Sequence, residues 1–199
     1  MSTPMARPVL SEVFGPSEGA ALRAKQIALF VAGIAALAIA AKIRIPMWPV
    51  PLTMGTFAVL TIGAAYGPRL GLATILGYLL IGAFGFDVFA GSSAETNGLA
   101  YMMGGTGGYL VGYALAAVAL GLFARAGWDR SMPRMAGAML AGNAIIYIPG
   151  LLWLGVLYGW DKPILDWGLT PFLLGDALKL ALAALLVPAV WKLVGNART

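Results

Sequence analysis

Cysteine and histidine are both absent from this chain of 199 residues. No disulfide, thiolate nucleophile, ordinary zinc site or histidine-based acid/base chemistry can be built from it, and neither a haem axial histidine nor an iron–sulfur cluster can be supplied. Charge is scarce as well: Asp, Glu, Lys and Arg make up only 11% of the residues, against about 25% in a soluble domain. No GxxxxGK[ST] phosphate-binding loop occurs, so any ATP dependence must come from separate subunits. The net charge of +5 is no nucleic-acid footprint, because the basic residues are scattered at the ends of apolar runs rather than clustered.

What the chain has is apolar length. It is 60% hydrophobic with a mean hydropathy of +0.86, the composition of an integral membrane protein with no room for a sizeable soluble domain. Six hydrophobic stretches are long enough to be spans: about 26–41, 52–66, 70–86, 107–126, 135–158 and 171–194. The first 25 residues hold Glu12 and Glu18 and lack an apolar core. They read as a short, polar, mobile cytoplasmic tail and not as a cleavable signal peptide. The expected organisation is therefore a tail over 1–25, an all-α domain of six transmembrane helices over 26–194, and a short tail over 195–199.

The connectors sort onto two sides. KIRIPMWPVP joins the first two stretches, and its three prolines, Pro46, Pro49 and Pro51, exclude a helix there. A Gly-rich segment joins the third and fourth, and GWDKPILDWGLT the fifth and sixth. These long connectors share one side with only Lys42, Arg44 and Lys162 as cations. The other side carries Arg7, Arg23, Lys25, Arg69, Arg125, Arg130, Arg134, Lys192 and Arg198. The positive-inside rule places that side, with both termini, in the cytoplasm. Trp48, Trp160 and Trp167 then lie on the outer face and Trp128 and Trp191 on the inner, as interface anchors.

Asp176 and Lys179 interrupt the last stretch. An ionisable residue within a span costs about 2.5–3.5 kcal/mol on insertion scales, which makes it a functional-site hypothesis by default. Three positions apart, the two lie on one helical face and can partly neutralise each other. Together with long irregular loops on the same side, they describe an outward-facing pocket for a small ligand, since irregular backbone at membrane depth is tolerated where it lines a cavity. A purely structural ion pair is the alternative. Ile45, Met47, Trp48, Val88, Phe89 and Ala90 are too apolar for plain solvated loops. In the first stretch, Ala28, Ala32, Ala36 and Ala40 recur every four positions, a spacing that allows close helix approach, either to a partner or within the chain. GGTGGYLVGY, Gly104 to Tyr113, permits close backbone approach, a tight turn or anion binding at a helix start.

At these residues the chain resembles the BioY family, the biotin-specific substrate-binding (S) components of energy-coupling factor (ECF) transporters. VPLT at Val50–Thr53, GPRLG at Gly67–Gly71 leading to FGFDVFAG, GGTGGYLVGY, and PFLLGDALK at Pro171–Lys179 carry the likeness through their order and spacing. The resemblance implies a multi-pass protein of the bacterial inner membrane that captures biotin from outside. It implies no cofactor, ATP being used by partner ATPase subunits beside a transmembrane coupling subunit. It assigns ligand contact to Asp176, Lys179, Asn97 and Tyr109, and docking onto the coupling subunit to Ala28 and Ala32. The chain departs from the family pattern at Gly55, where members often carry Gln, and at Gly105, where many carry Pro.

Biotin suits this chemistry. Its ureido ring offers N–H donors and a carbonyl, its tail a carboxylate, and an Asp/Lys pair can meet both kinds of group. An S component for thiamine or riboflavin would share the architecture, and an autonomous small-solute transporter is a further alternative. A membrane enzyme lacks the acid/base groups, and a channel would need a polar stripe through several spans.

Overall fold

A computed structural model describes residues 7–93 and 96–196; Arg198, used above to sort the loops, lies outside that range. The described chain is helical apart from two short strands. Five segments are long and apolar enough to cross a membrane: α2 (Gly19–Lys42), α3 (Gly55–Ala83), α5 (Gly107–Arg125), α6 (Met132–Tyr158), and the run formed by α7 (Ile164–Gly168) and α8 (Leu173–Asn196). A four-residue helix, α1 (Leu10–Val13), precedes them, and α4 (Gly98–Met102) lies in the Gly-rich connector.

The second and third apolar stretches form one element, α3, broken at Gly67, where φ is +79° and ψ 175°. Glycine takes a positive φ without a Cβ penalty, and Pro68 has no N–H with which to carry the hydrogen-bond ladder across. The two arms fold back on each other: a Cβ at Gly71 would lie 3.3 Å from the Cα of Gly63, and these residues flank the break symmetrically. The first arm, residues 55–66, is only about 18 Å long. The Pro-rich connector precedes it, where β1 (Arg44–Ile45) pairs antiparallel with β2 (Leu52–Thr53) and the Trp48–Pro49 peptide is cis.

α5 lies at the centre, against α3 on one side and α6 on the other. The glycines of GGTGGYLVGY serve this contact. A Cβ at Gly108 would fall 2.2 Å from the Pro149 carbonyl oxygen, and one at Gly112 2.7 Å from the Ile146 Cα. Helix backbones this close exchange dispersion contacts that larger residues would forbid. α2 is peripheral and packs mainly on α3.

The N-terminal segment is not a loose tail. Val9 is fully buried, Leu10 and Val13 pack on the same core, and α2 begins at Gly19, about two turns before the expected start. Arg125 holds the segment, donating to a Glu12 carboxylate oxygen at 2.7 Å and to the Arg7 carbonyl at 3.2 Å. Arg130 donates to the Pro8 carbonyl at 2.9 Å. Partial burial opposes ionisation of Glu12, but the Arg125 guanidinium and the Val9 backbone N–H outweigh it and hold this carboxyl below its ordinary value. Short polar residues hid this from the sequence, because the anchoring arginines lie more than a hundred positions away.

Candidate functional site

At the loop-rich end of the bundle, α2, α3, α5, α6, α8 and the connectors enclose a pocket. Its walls are aromatic: Tyr78, Phe89, Tyr101, Tyr109, Tyr113, Tyr147 and Phe172. Thr53, Thr56, Thr106 and Lys179 supply the polar lining. Counting its mouth, the space is about 650 Å³, within the range of about 300–1,000 Å³ usual for small-molecule sites. The walls stand close, so only about 50 Å³ of it is wide enough for the centre of a water molecule.

α8 supplies the charged floor. Asp176 and Lys179 are both buried, at 6% and 8% exposure, and lie 2.9 Å apart from Nζ to Oδ1. A buried ion pair is tolerated only when further hydrogen bonds satisfy its remaining atoms, and two other spans provide them. Lys179 donates to Thr56 Oγ1 at 3.0 Å, and the same hydroxyl donates to Asp176 Oδ1 at 3.5 Å. The Tyr147 hydroxyl donates to Asp176 Oδ2. Both Asp176 oxygens are therefore engaged, whereas one of the three Lys179 N–H donors remains available. Lys179 lines the pocket; Asp176 stands behind it and borders an apolar groove between α6 and α8. Lys179 thus presents its ammonium to the pocket, and Asp176 holds Lys179 from behind.

The connectors form the other walls. The loop after α3 drives Phe89 inward to 1% exposure, where it stacks on Tyr101 at 5.0 Å and meets Tyr78 edge-on at 5.4 Å. Side chains satisfy its backbone: Lys42 donates to the Phe89 carbonyl at 2.8 Å, Arg44 to that of Ala90, and Tyr78 to that of Val88 at 3.0 Å. Lys42 also pairs with Asp87 at 2.6 Å. Trp48 meets Trp167 and Tyr158 edge-on at 5.0 and 5.5 Å, which ties the Pro-rich connector to the one before α8.

Of the residues singled out from sequence, Lys179 and Tyr109 line the pocket and Asp176 supports it. Tyr109 is held by its hydroxyl's bond to the Gly168 carbonyl at 2.8 Å. Asn97 stands at the start of α4, outside the lining, and a Cβ at Gly85 would lie 3.7 Å from its Oδ1. Ala28 and Ala32 are exposed on α2. Thr56, Tyr147 and Tyr113 were missed. The available signal was hydroxyl side chains inside otherwise apolar spans, since a buried charge pair must draw hydrogen bonds from neighbouring helices. The glycine at 55 also finds its reason, because a Cβ there would lie 2.9 Å from the Tyr113 hydroxyl, which fills the space a longer side chain would need.

Fold and site together define a helical membrane protein with an aromatic-walled, cation-floored pocket for a small organic molecule. The BioY family model matches residues 13–196, and the chain belongs to the BioY family. A probable biotin transporter BioY of Pyrococcus horikoshii is 34% identical over 175 residues, covering 88% of this chain and 99% of that one. The biotin transporter BioY of Thermotoga maritima is 34% identical over 167 residues, 83% and 96% of the two chains. Among solved structures, the S-component for biotin from an ECF-type ABC transporter superposes with a TM-score of 0.74 at 21% identity, over 88% of this chain and 95% of that one.

Proposed function

We propose that this protein captures biotin from outside the cell and delivers it across the inner membrane as the S component of an ECF-type transporter. One observation carries the ligand chemistry: a lysine with an unspent donor in the wall of an aromatic pocket, held by a carboxylate behind it. Lys179 meets an oxygen acceptor of biotin, while the aromatic rings bury the fused ring system and alkyl tail. Tyr109 contributes wall area, and Asn97, at the start of α4, is the further ligand contact that the family likeness assigns. The names of the relatives support the choice of biotin over other vitamins.

Counting the two arms of α3 as separate passes gives six, with both termini on the cytoplasmic side that carries most of the Lys and Arg. In that topology residues 26–194 form the membrane domain, flanked by cytoplasmic segments over 1–25 and 195–199. The pocket faces outward. The exposed Ala28 and Ala32 face of α2, a helix packed on one side only, docks onto the transmembrane coupling subunit, and separate ATPase subunits supply the energy. Calorimetry on the purified chain with biotin, thiamine and riboflavin decides the ligand. Heat with biotin alone is the expected result; heat with another vitamin and none with biotin would overturn the assignment.

A further inference from the structure

At the opposite end of the bundle from the pocket, the N-terminal segment, α2 and the break in α3 border a second, open space of about 1530 Å³ counting its mouth. Lys25, Arg69 and Arg125 line it against the single carboxylate of Glu12. Glu12 neutralises Arg125. Lys25 spends one donor on the Phe14 carbonyl at 3.0 Å, which leaves two. Arg69 is exposed and makes no hydrogen bond or ion pair to the described residues. Two cations are thus presented to the same basic cavity with spare donors.

An apolar groove adjoins it. Leu10, Phe14, Leu29, Ala65, Tyr66 and Val190 line the groove, and Ser11, Lys25, Leu29 and Tyr66 belong to both spaces. Phe14 leaves 54% of its surface uncovered there. A basic cavity continuous with an apolar groove, at the level where helices leave the membrane, matches a molecule with an anionic head and a hydrocarbon tail. We propose that this is a binding site for an anionic phospholipid: its phosphate lies between Lys25 and Arg69, and an acyl chain lies along Leu29, Ala65 and Phe14. Basic pockets between helices at the membrane surface bind such headgroups in this way. The lipid bridges α1, α2 and the α3 break, and so braces α2, a peripheral helix packed mainly on α3.

Native mass spectrometry of the full chain, delipidated and then offered equal phosphatidylglycerol and phosphatidylcholine, tests this. The wild type should retain phosphatidylglycerol at least about tenfold in preference, and the K25Q/R69Q variant should lose that preference. R134Q, which removes an exposed cation from the first turn of α6, should keep it, with thermal melting confirming that all three are folded. Absence of a preference in the wild type, or its survival in K25Q/R69Q, would overturn the site, as would equal loss in R134Q. Displacement of the lipid by inorganic phosphate at the same concentration would overturn the lipid in favour of a small anion.

Discussion

Lys179 reaches the pocket because the Thr56 hydroxyl and the Asp176 carboxylate hold it there, the carboxylate being held in turn by the Tyr147 hydroxyl. Thr56 binds both members of the ion pair, so it sets the lysine rotamer as well as satisfying the carboxylate. Replacing Lys179 by Ala removes the ligand's cation and leaves Asp176 charged and underpaired; replacing Asp176 by Asn frees Lys179 to move. Each change is expected to weaken biotin binding at least tenfold, or about 1.4 kcal/mol. Titration calorimetry of Lys179→Ala and Asp176→Asn measures this, and wild-type affinity in both folded variants would reduce the pair to a structural role. The pair itself was legible in the sequence, because charge within a span stands out against leucine and alanine. Its partners were not. Thr56 and Tyr147 are ordinary in membrane helices and acquire a role only when α3 and α6 bring them to the depth of Asp176.

Connectors, more than helices, shape the pocket. Trp48 joins the Pro-rich connector to Tyr158 and Trp167, yet 67% of its own surface is exposed. Trp48→Ala should therefore accelerate biotin release several-fold with little change in melting temperature, since aromatic pairs are worth about 0.5–1.5 kcal/mol each and this cluster buries little. Stopped-flow dissociation provides the readout, and an unchanged off-rate would mean that the clasp plays no part in retention. At the other end, the folded-state acidity of Glu12 is strengthened, so its contribution is present above the ordinary carboxylate value of 4.5 and lost as pH falls through the lower folded value. Amide exchange of residues 7–14, corrected for intrinsic pH dependence, should rise on acidification past that point. Glu12→Gln should show the same exchange already at neutral pH; full protection in that variant would argue that Val9 burial alone holds the segment.

For the whole molecule, the pocket and the open alanine face of α2 lie toward different ends. Ala28→Trp or Ala32→Trp should hold a partner helix away, because small-residue interfaces depend on close backbone approach. Biotin binding by the isolated chain should survive while ATP-driven uptake falls several-fold. Equal loss of binding and uptake would indicate an internal role for these alanines, and unchanged uptake with unchanged co-purification of the coupling subunit would leave the face to lipid.

Composition alone determined that the chain is a helical membrane protein, because apolar runs with so few charges have no stable alternative to spanning helices. Proline and glycine marked where helices cannot continue, and the breaks at the Pro-rich connector and at Gly67 follow directly from backbone chemistry. Asp176 and Lys179 marked the functional end for the same energetic reason. Tertiary structure decided the rest. It drew Phe89 from a loop into the pocket wall, used Lys42 and Arg44 to satisfy that loop's carbonyls, and put Lys179 rather than Asp176 in the pocket lining. It also packed Val9 where the sequence suggests a free tail. Each of these depends on groups far apart in the chain meeting at one depth in the bundle, and no local pattern of residues encodes that meeting.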